Sequence, residues 1–350
     1  MEHEIKLTSL SSGAGCGCKI APSVLHDILK TDLQLPEFGQ LLVGNATNDD
    51  AAVMDMGNGT ALISTTDFFM PIVDDAFAFG RIAAANAISD IYAMGGRPAM
   101  AIAILGWPIE TLPAELAQKV LDGARTACQE ARIPLAGGHS IQSKEPIFGL
   151  AVNGFVEVSN LKRNNTAQAG DVLFLTKPIG VGILSTAQKR GLLTPQDATL
   201  MMMQMQQLNN IGAMLGPVQG VDAMTDITGF GLLGHVIEMA EGSGLTAALD
   251  YSKIPVIDCA KHYLAQRVVP DATYRNWNSY SSKTKFEAGV NVMEAFSLLP
   301  DPQTNGGLLI AARESAVSEI QSILRGAGCL FSAPIGQMVE KQAHAVIINP

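Results

Sequence analysis

The sequence has 350 residues, and at about 150 residues per domain that suggests two domains. Apolar residues make up 47% and charged residues 16%, which supports sizeable cores and excludes a disordered chain. Asp plus Glu number 33 against 23 Lys plus Arg, a net charge of −10, so the basic footprint of a nucleic-acid binder is absent.

In chain order, residues 1–20 are rich in Gly and Ser and predict a mobile arm. Residues 53–56 and 61–65 flank Gly57-Asn58-Gly59, a hairpin signal. Residues 77–94 are almost all apolar or small and end at Gly95-Gly96, which predicts a buried helix with a glycine stop. A strand over 99–105 follows. Next comes an amphipathic helix starting near Thr111, with Leu116, Val120, Ala124, Ala127 and Ala131 on one face. Strands are predicted at 133–136, leading into a Gly137-Gly138-His139-Ser140 turn, and at 148–156. The polar stretch 159–171 is the candidate domain link. It divides the chain into an arm (1–20), an N-terminal domain (21–158) and a C-terminal domain (159–350). Beyond it, strands are predicted at 172–176, 221–225 and 308–311. Helices are predicted from Thr194-Pro195, from Gly231 and over 317–326, with a polar loop over 267–288. Strands and helices mix in both halves, so the class is α/β or α+β.

The longest apolar stretch, 99–109, is broken by Gly106 and Pro108 and falls short of the roughly 20 residues a membrane helix needs. The first ten residues show no apolar signal core. Five cysteines, an odd count, argue against a disulfide framework. The expected location is a reducing cytoplasm, with neither membrane nor nucleic acid as partner.

Four features could carry chemistry. The first is Cys16-Gly17-Cys18-Lys19: two thiols beside an ammonium that favours thiolate. It fits a nucleophile, a soft-metal or redox pair, or two incidental thiols in a tail. The second is acidic. A hairpin centred on Asn58 pairs residues whose numbers sum to about 116, which sets Asp49 opposite Asp67 and Asp50 opposite Thr66. Like charges facing one another call for a cation, and oxygen-only ligands fit Mg²⁺; solvated turn aspartates are the plain alternative. The third is Asp90, on one helix face with Asn86, where an acid among alanines and isoleucines costs stability unless paired or metal-bound. The fourth is Asp226. It ends a strand before the Thr228-Gly229-Phe230-Gly231 helix start, where helix amides favour phosphate and where an ordinary capping role is the alternative. The Gly137–Ser140 turn could also cradle phosphate, with His139 either an acid/base or a structural histidine. The run Met201, Met202, Met203 and Met205 fits core packing better than copper. Walker A, Rossmann and GxSxG signatures are absent.

Together these motifs resemble the selenophosphate synthetase (selenide, water dikinase) family over nearly the full length. The segments concerned are GAGCGCK (13–19), NDDAAV (48–53), TTDFF (65–69), AANAISDIYAMGG (84–96), AGGHS (136–140), LTKPIGVG (175–182), TDITGFGLLGH (225–235) and DPQTNGGLL (301–309). Asn305 departs from the family pattern, which has Ser there. The resemblance implies ATP-dependent synthesis of selenophosphate from hydrogen selenide and water, with release of AMP and orthophosphate. It implies Cys16 and Lys19 as catalytic residues and Asp50, Asp90 and Asp226 as ligands to more than one Mg²⁺. Thr47, Asn48, Asp49, Asp67, Asp90, Lys19 and Gly138–His139–Ser140 are implied as nucleotide contacts. The implied fold is that of the aminoimidazole-ribonucleotide synthetase superfamily, with an N-terminal sheet that pairs across a homodimer and a C-terminal α/β domain. K⁺ is a further candidate cofactor, and a selenium-delivery protein a candidate partner. Two alternatives stand beside it. A sister small-molecule kinase would lack a Cys-Gly-Cys-Lys arm. A thiol metal carrier would need no carboxylate set.

Overall fold

The structure, a computed structural model, describes residues 6–10, 13, 15–20, 22–31, 36, 38–45 and 49–350. Two mixed sheets form. The first contains β1 (Leu41–Val43), β2 (Ala52–Asp55), β3 (Thr60–Phe69), β4 (Arg97–Trp107), β5 (Leu135–Gln142) and β6 (Ile147–Glu157), in the order β1-β2-β3-β6-β4-β5. Among the described residues of this sheet only β4 and β5 run parallel. The predicted hairpin forms in the predicted register, Ala52 facing Ser64 and Asp55 facing Ala61. The ladder stops at Ala52, however, so Asp49 and Asp50 precede the strand instead of facing Asp67 and Thr66 across it.

Along β3 the odd residues point at helix α2 (Ala76–Ala93) and the even ones away, as a period of two requires. Sixteen of the 18 residues of α2 are buried, which explains its nearly all-apolar sequence: it lies between the first sheet and the second half of the chain. Its neighbour α3 (Ala114–Glu130) approaches closely because of two glycines. A Cβ at Gly80 would stand 1.8 Å from the Val120 carbonyl oxygen, and one at Gly123 would stand 1.9 Å from that of Phe77. The opposite sheet face is uncovered and apolar, with Met54, Phe68, Met100, Ile102, Ile141 and Phe155 exposed.

The second sheet contains β7 (Val172–Leu175), β8 (Val221–Asp226), β9 (Thr246–Asp250), β10 (Thr284–Phe286), β11 (Leu308–Ala312), β12 (Pro334–Val339) and β13 (Val346–Asn349), in the order β10-β13-β9-β12-β7-β11-β8. Helix α7 (Gly231–Gly242) packs on β8, β9 and β13, while α4 (Val181–Lys189) packs on α5 (Pro195–Gln206), which also meets α2. Thr194 caps α5 by accepting from the Asp197 N–H, with Pro195 in the first turn. Met201 and Met205 of α5 are fully buried, as packing methionines are.

One expectation changes. The predicted loop at 267–288 contains a helix, α9 (Asp271–Tyr280), and β10. Its buried face carries Thr273 and Asn276, polar residues that hide the hydrophobic pattern. The Asn276 amide donates to the carbonyls of Gly229 and Pro300, both at 2.9 Å. The polar stretch 159–171, the candidate domain link, is tied to both halves through Lys162. The buried Lys162 Nζ donates to the Val221 carbonyl at 2.7 Å, and the Lys162 N–H donates to that of Met94.

Candidate active site

The carboxylates singled out in the sequence come from separate elements and line one cavity of about 880 Å³ between the two halves. Asp49 and Asp50 lie just before β2, Asp67 on β3, Asp90 on α2 and Asp226 at the end of β8. Each is held by a neighbour. The Thr225 hydroxyl donates to Asp50 Oδ1 at 2.7 Å, and the Thr65 hydroxyl donates to Asp90 Oδ2. The Asn86 amide donates to Asp67 Oδ2 at 2.6 Å. Asp49 Oδ1 accepts from the N–H groups of Asp50 and Asn164, both at 3.2 Å. Asp226 is 1% exposed and Asp90 9%, and burying charge at this density is costly.

The pKa values record that cost. Burial, followed by the charges of Asp226, Asp49 and Asp90, pushes the Asp50 carboxyl well above the usual carboxylate range. Burial, then Asp226 and Asp67, does the same to Asp90. Asp49 rises to about 6, chiefly by burial. Asp226 rises for the same reason, opposed by a hydrogen bond from Ser89 and by the Lys19 ammonium. Oδ2 of Asp49, of Asp50 and of Asp226 is buried without a hydrogen-bond partner. Unpartnered buried oxygens among mutually repelling carboxylates fit a hard divalent cation with its water. Among the described residues no three His, Cys, Asp or Glu side chains close on a single metal position, so the carboxylates form an open wall around the cavity.

Asp226 does not cap α7: the capping position is Phe230, with no side-chain cap. Ahead of that helix, the Thr228 N–H donates to His235 Nε2 at 3.1 Å. The ring proton is thereby set on Nδ1, which faces Glu238 Oε2 at 3.2 Å. Lys19 lines the same cavity. Its Nζ donates to Thr228 Oγ1 at 3.3 Å and lies 5.8 Å from the centroid of the Phe230 ring. The Gly15–Cys18 turn before it is a short 3-10 helix docked on both halves. The Gly15 N–H donates to the Met70 carbonyl, and Arg275 Nη2 donates to that of Gly17 at 2.9 Å. The side chains of Cys16 and Cys18, and Thr47 and Asn48 altogether, lie outside the described residues.

Gly137–Ser140 is not a turn. It lies within β5, an exposed edge strand, and does not line the carboxylate cavity of its own chain. Gly138 serves strand pairing, since a Cβ there would stand 2.2 Å from the Ala103 carbonyl oxygen. His139 is exposed on this edge.

Supporting roles fall to Asn86 and Asn305, and to Lys177, to which the sequence reading gave no role. Asn86 Oδ1 accepts from the Asn305 N–H at 2.7 Å, and Asn305 has φ 50°, a left-handed conformation that Asn tolerates. Its amide donates to the carbonyls of Met205 and Gln207, two bonds where a serine hydroxyl would supply one. Lys177 is fully buried and donates to the carbonyls of Gln207 (2.7 Å) and Asn305 (3.0 Å). A neutral amine has two N–H bonds to give, and both are used. Burial lowers Lys177 to about 7, so between pH 7 and the ordinary value of 10.5 the unfolded chain holds the extra proton. The stability of the wild type relative to Lys177→Met is expected to rise with pH across that window, by a few kcal/mol (~3) in total. Urea unfolding at pH 7 and pH 9.5 measures it, and a flat difference contradicts it.

Residues 48–156 match the AIR synthase related protein, N-terminal domain, and residues 168–349 match its C-terminal domain. A selenide, water dikinase of Aeromonas salmonicida is 56% identical over 336 residues, covering 95% of each chain. One of Haemophilus influenzae is 53% identical over 349 residues, covering 100% of this chain and 99% of that one.

The chain belongs to the selenide, water dikinase family.

The fold is shared more widely than the family. A thiamine-monophosphate kinase from Stenotrophomonas maltophilia superposes with a TM-score of 0.65 at 20% identity, over 89% of this chain and 92% of that one.

Proposed function

We propose that this chain makes selenophosphate from hydrogen selenide, ATP and water, releasing AMP and orthophosphate. The observation that carries the proposal is the docking of the arm. The Gly15–Cys18 turn packs between the two halves, and Lys19 of that arm reaches the carboxylate cavity. A sister kinase needs the cavity and not the thiol arm; a metal carrier needs the thiols and not the cavity.

In this mechanism Asp50, Asp90 and Asp226 hold Mg²⁺, and the number of carboxylates accommodates more than one ion. When bound, Mg²⁺ neutralises phosphate charge and polarises the phosphoryl oxygens. Asp49, Asp67, Thr47 and Asn48 contact the nucleotide. The Lys19 ammonium stabilises charge on the phosphoryl group in flight and on the thiolate of Cys16, and Cys16 handles the selenium or the activated phosphoryl group. The docked arm limits water until the second cleavage, which consumes it. K⁺ is a candidate further ion. Free Cys128, Cys259 and Cys329 fit a reducing cytoplasm, and among the described residues no helix is long and apolar enough to cross a membrane.

The exposed apolar face of the first sheet supports a homodimer. It also accounts for β5. Gly138–His139–Ser140 stands on an edge that does not line its own chain's cavity, so its nucleotide contact is made in the partner's cavity. Ile102, 39% exposed on that face, is the test position. Ile102→Lys would place an unpaired charge in the interface and weaken the dimer by about 100-fold or more. Sedimentation velocity reads this, and an unchanged dimer contradicts it. For the reaction itself, nucleotide chromatography after anaerobic turnover is expected to show selenide-dependent AMP. ADP as the final product would return the chain to the sister-kinase alternative.

A further inference from the structure

The arm separates two cavities of opposite charge. On one side is the carboxylate cavity. On the other is a cleft of about 540 Å³ whose walls carry Lys19, Lys189, Arg190 and Arg275 against one acid, Asp271. In a chain of net charge −10, four cations to one anion make this a local reversal of potential. The cleft is closed on the arm side by Gly13 and Gly17, and Arg275 is fixed there by its bond to the Gly17 carbonyl. The first amides of α4 are not what an anion would meet, because the Gly182 N–H is already given to Asp301 at 3.0 Å. The positive side chains are.

The reaction proposed above has a second substrate that is itself an anion, since hydrogen selenide is ionised to hydroselenide at neutral pH. The carboxylate wall repels a bare anion, while the nucleotide brings cations with it. We propose that the basic cleft is the port through which hydroselenide reaches the arm, with Lys189 and Arg190 drawing it in and Lys19 at the inner end. This deepens the selenophosphate reading and rests on it. The cleft would suit the product orthophosphate by the same chemistry, and the test separates the two.

Lys189 and Arg190 sit at the exposed end of α4, away from the carboxylates. The double variant Lys189→Glu, Arg190→Glu is expected to raise the KM for selenide about tenfold or more, with kcat at saturating selenide and the KM for MgATP within about twofold of wild type. The wild-type KM for selenide should rise with ionic strength and that of the double variant should not. The milder Lys189→Gln, Arg190→Gln pair should show the same direction and guards against misfolding of the charge reversal. An unchanged selenide KM in either folded variant overturns the proposal. So does a KM for ATP raised equally, which would give the cleft to the nucleotide. Weakened inhibition by inorganic phosphate with no change toward selenide would make it a product site and also overturns the proposal. If wild-type protein forms no selenophosphate from selenide and ATP, it is the functional reading that fails, and the port falls with it.

Discussion

Asp50→Asn is expected to raise the melting temperature of the metal-free protein while lowering turnover by about a thousandfold or more. Asp50 Oδ1 accepts from Thr225, and Oδ2 is buried without a partner. An asparagine keeps the first bond and turns the second position into a donor facing carboxylates. Burial and three neighbouring acids hold the Asp50 carboxyl well above its ordinary value of 3.8. Above that value the unfolded chain has lost a proton that the folded one still holds, so native stability falls as pH rises toward the folded pKa. The variant carries no such penalty. Its advantage should be about 1–3 kcal/mol at neutral to alkaline pH and should vanish as pH falls to about 4. Adding Mg²⁺ should stabilise the wild type more than the variant. Thermal melts in chelator, at pH 5 and pH 8, decide the matter; a variant less stable than wild type at pH 8 would contradict the account.

Lys19→Met carries the second large effect. The ammonium lies beside Thr228 and Phe230, and its charge lowers the pKa of both Asp90 and Asp226. Removing it takes away stabilisation of the transferring phosphoryl group, with an expected loss in kcat of about 10²–10³. It also lets the two carboxyls rise further. Activity needs them ionised to hold metal, so the acid limb of the pH–rate profile should move to higher pH. A methionine keeps most of the side chain's length and apolar volume while removing the ammonium that faces Phe230. Steady-state AMP release across about pH 6–9 tests both statements. Unchanged kcat, or an acid limb that stays in place, would remove Lys19 from the reaction.

Much of the carboxylate set was legible because each acid broke a local rule. Asp90 sits in a helix of alanines and isoleucines, and Asp226 at the end of an apolar strand. Both came to the cavity because the elements bearing them bury their other faces. The hairpin register was legible too, since Gly57-Asn58-Gly59 fixes it from Ala52 to Asp55. It did not extend to Asp49, whose carboxylate is taken by backbone donors, one of them Asn164 from 115 positions away. Gly137-Gly138 looked like a turn because glycine permits turns and close strand approach equally, and the choice between them is made by β4. Helix α9 was hidden because its buried face carries Asn276, whose amide finds its partners in the distant Gly229 and Pro300 carbonyls. The same blindness covered Thr65, Thr225 and Lys177: a hydroxyl or amine carries no local mark of the partner it will meet. The basic cleft is likewise assembled from the arm, α4 and α9, and composition alone showed only an acidic chain.

The most direct measurement is anaerobic phosphorus NMR of the full chain with ATP, Mg²⁺ and selenide, beside a sample without selenide. The account predicts a selenophosphate resonance, split by selenium-77 when labelled selenide is used, accompanied by AMP and orthophosphate in equal amounts. ADP accumulating without a phosphorus–selenium signal, in protein shown to be folded, would contradict it.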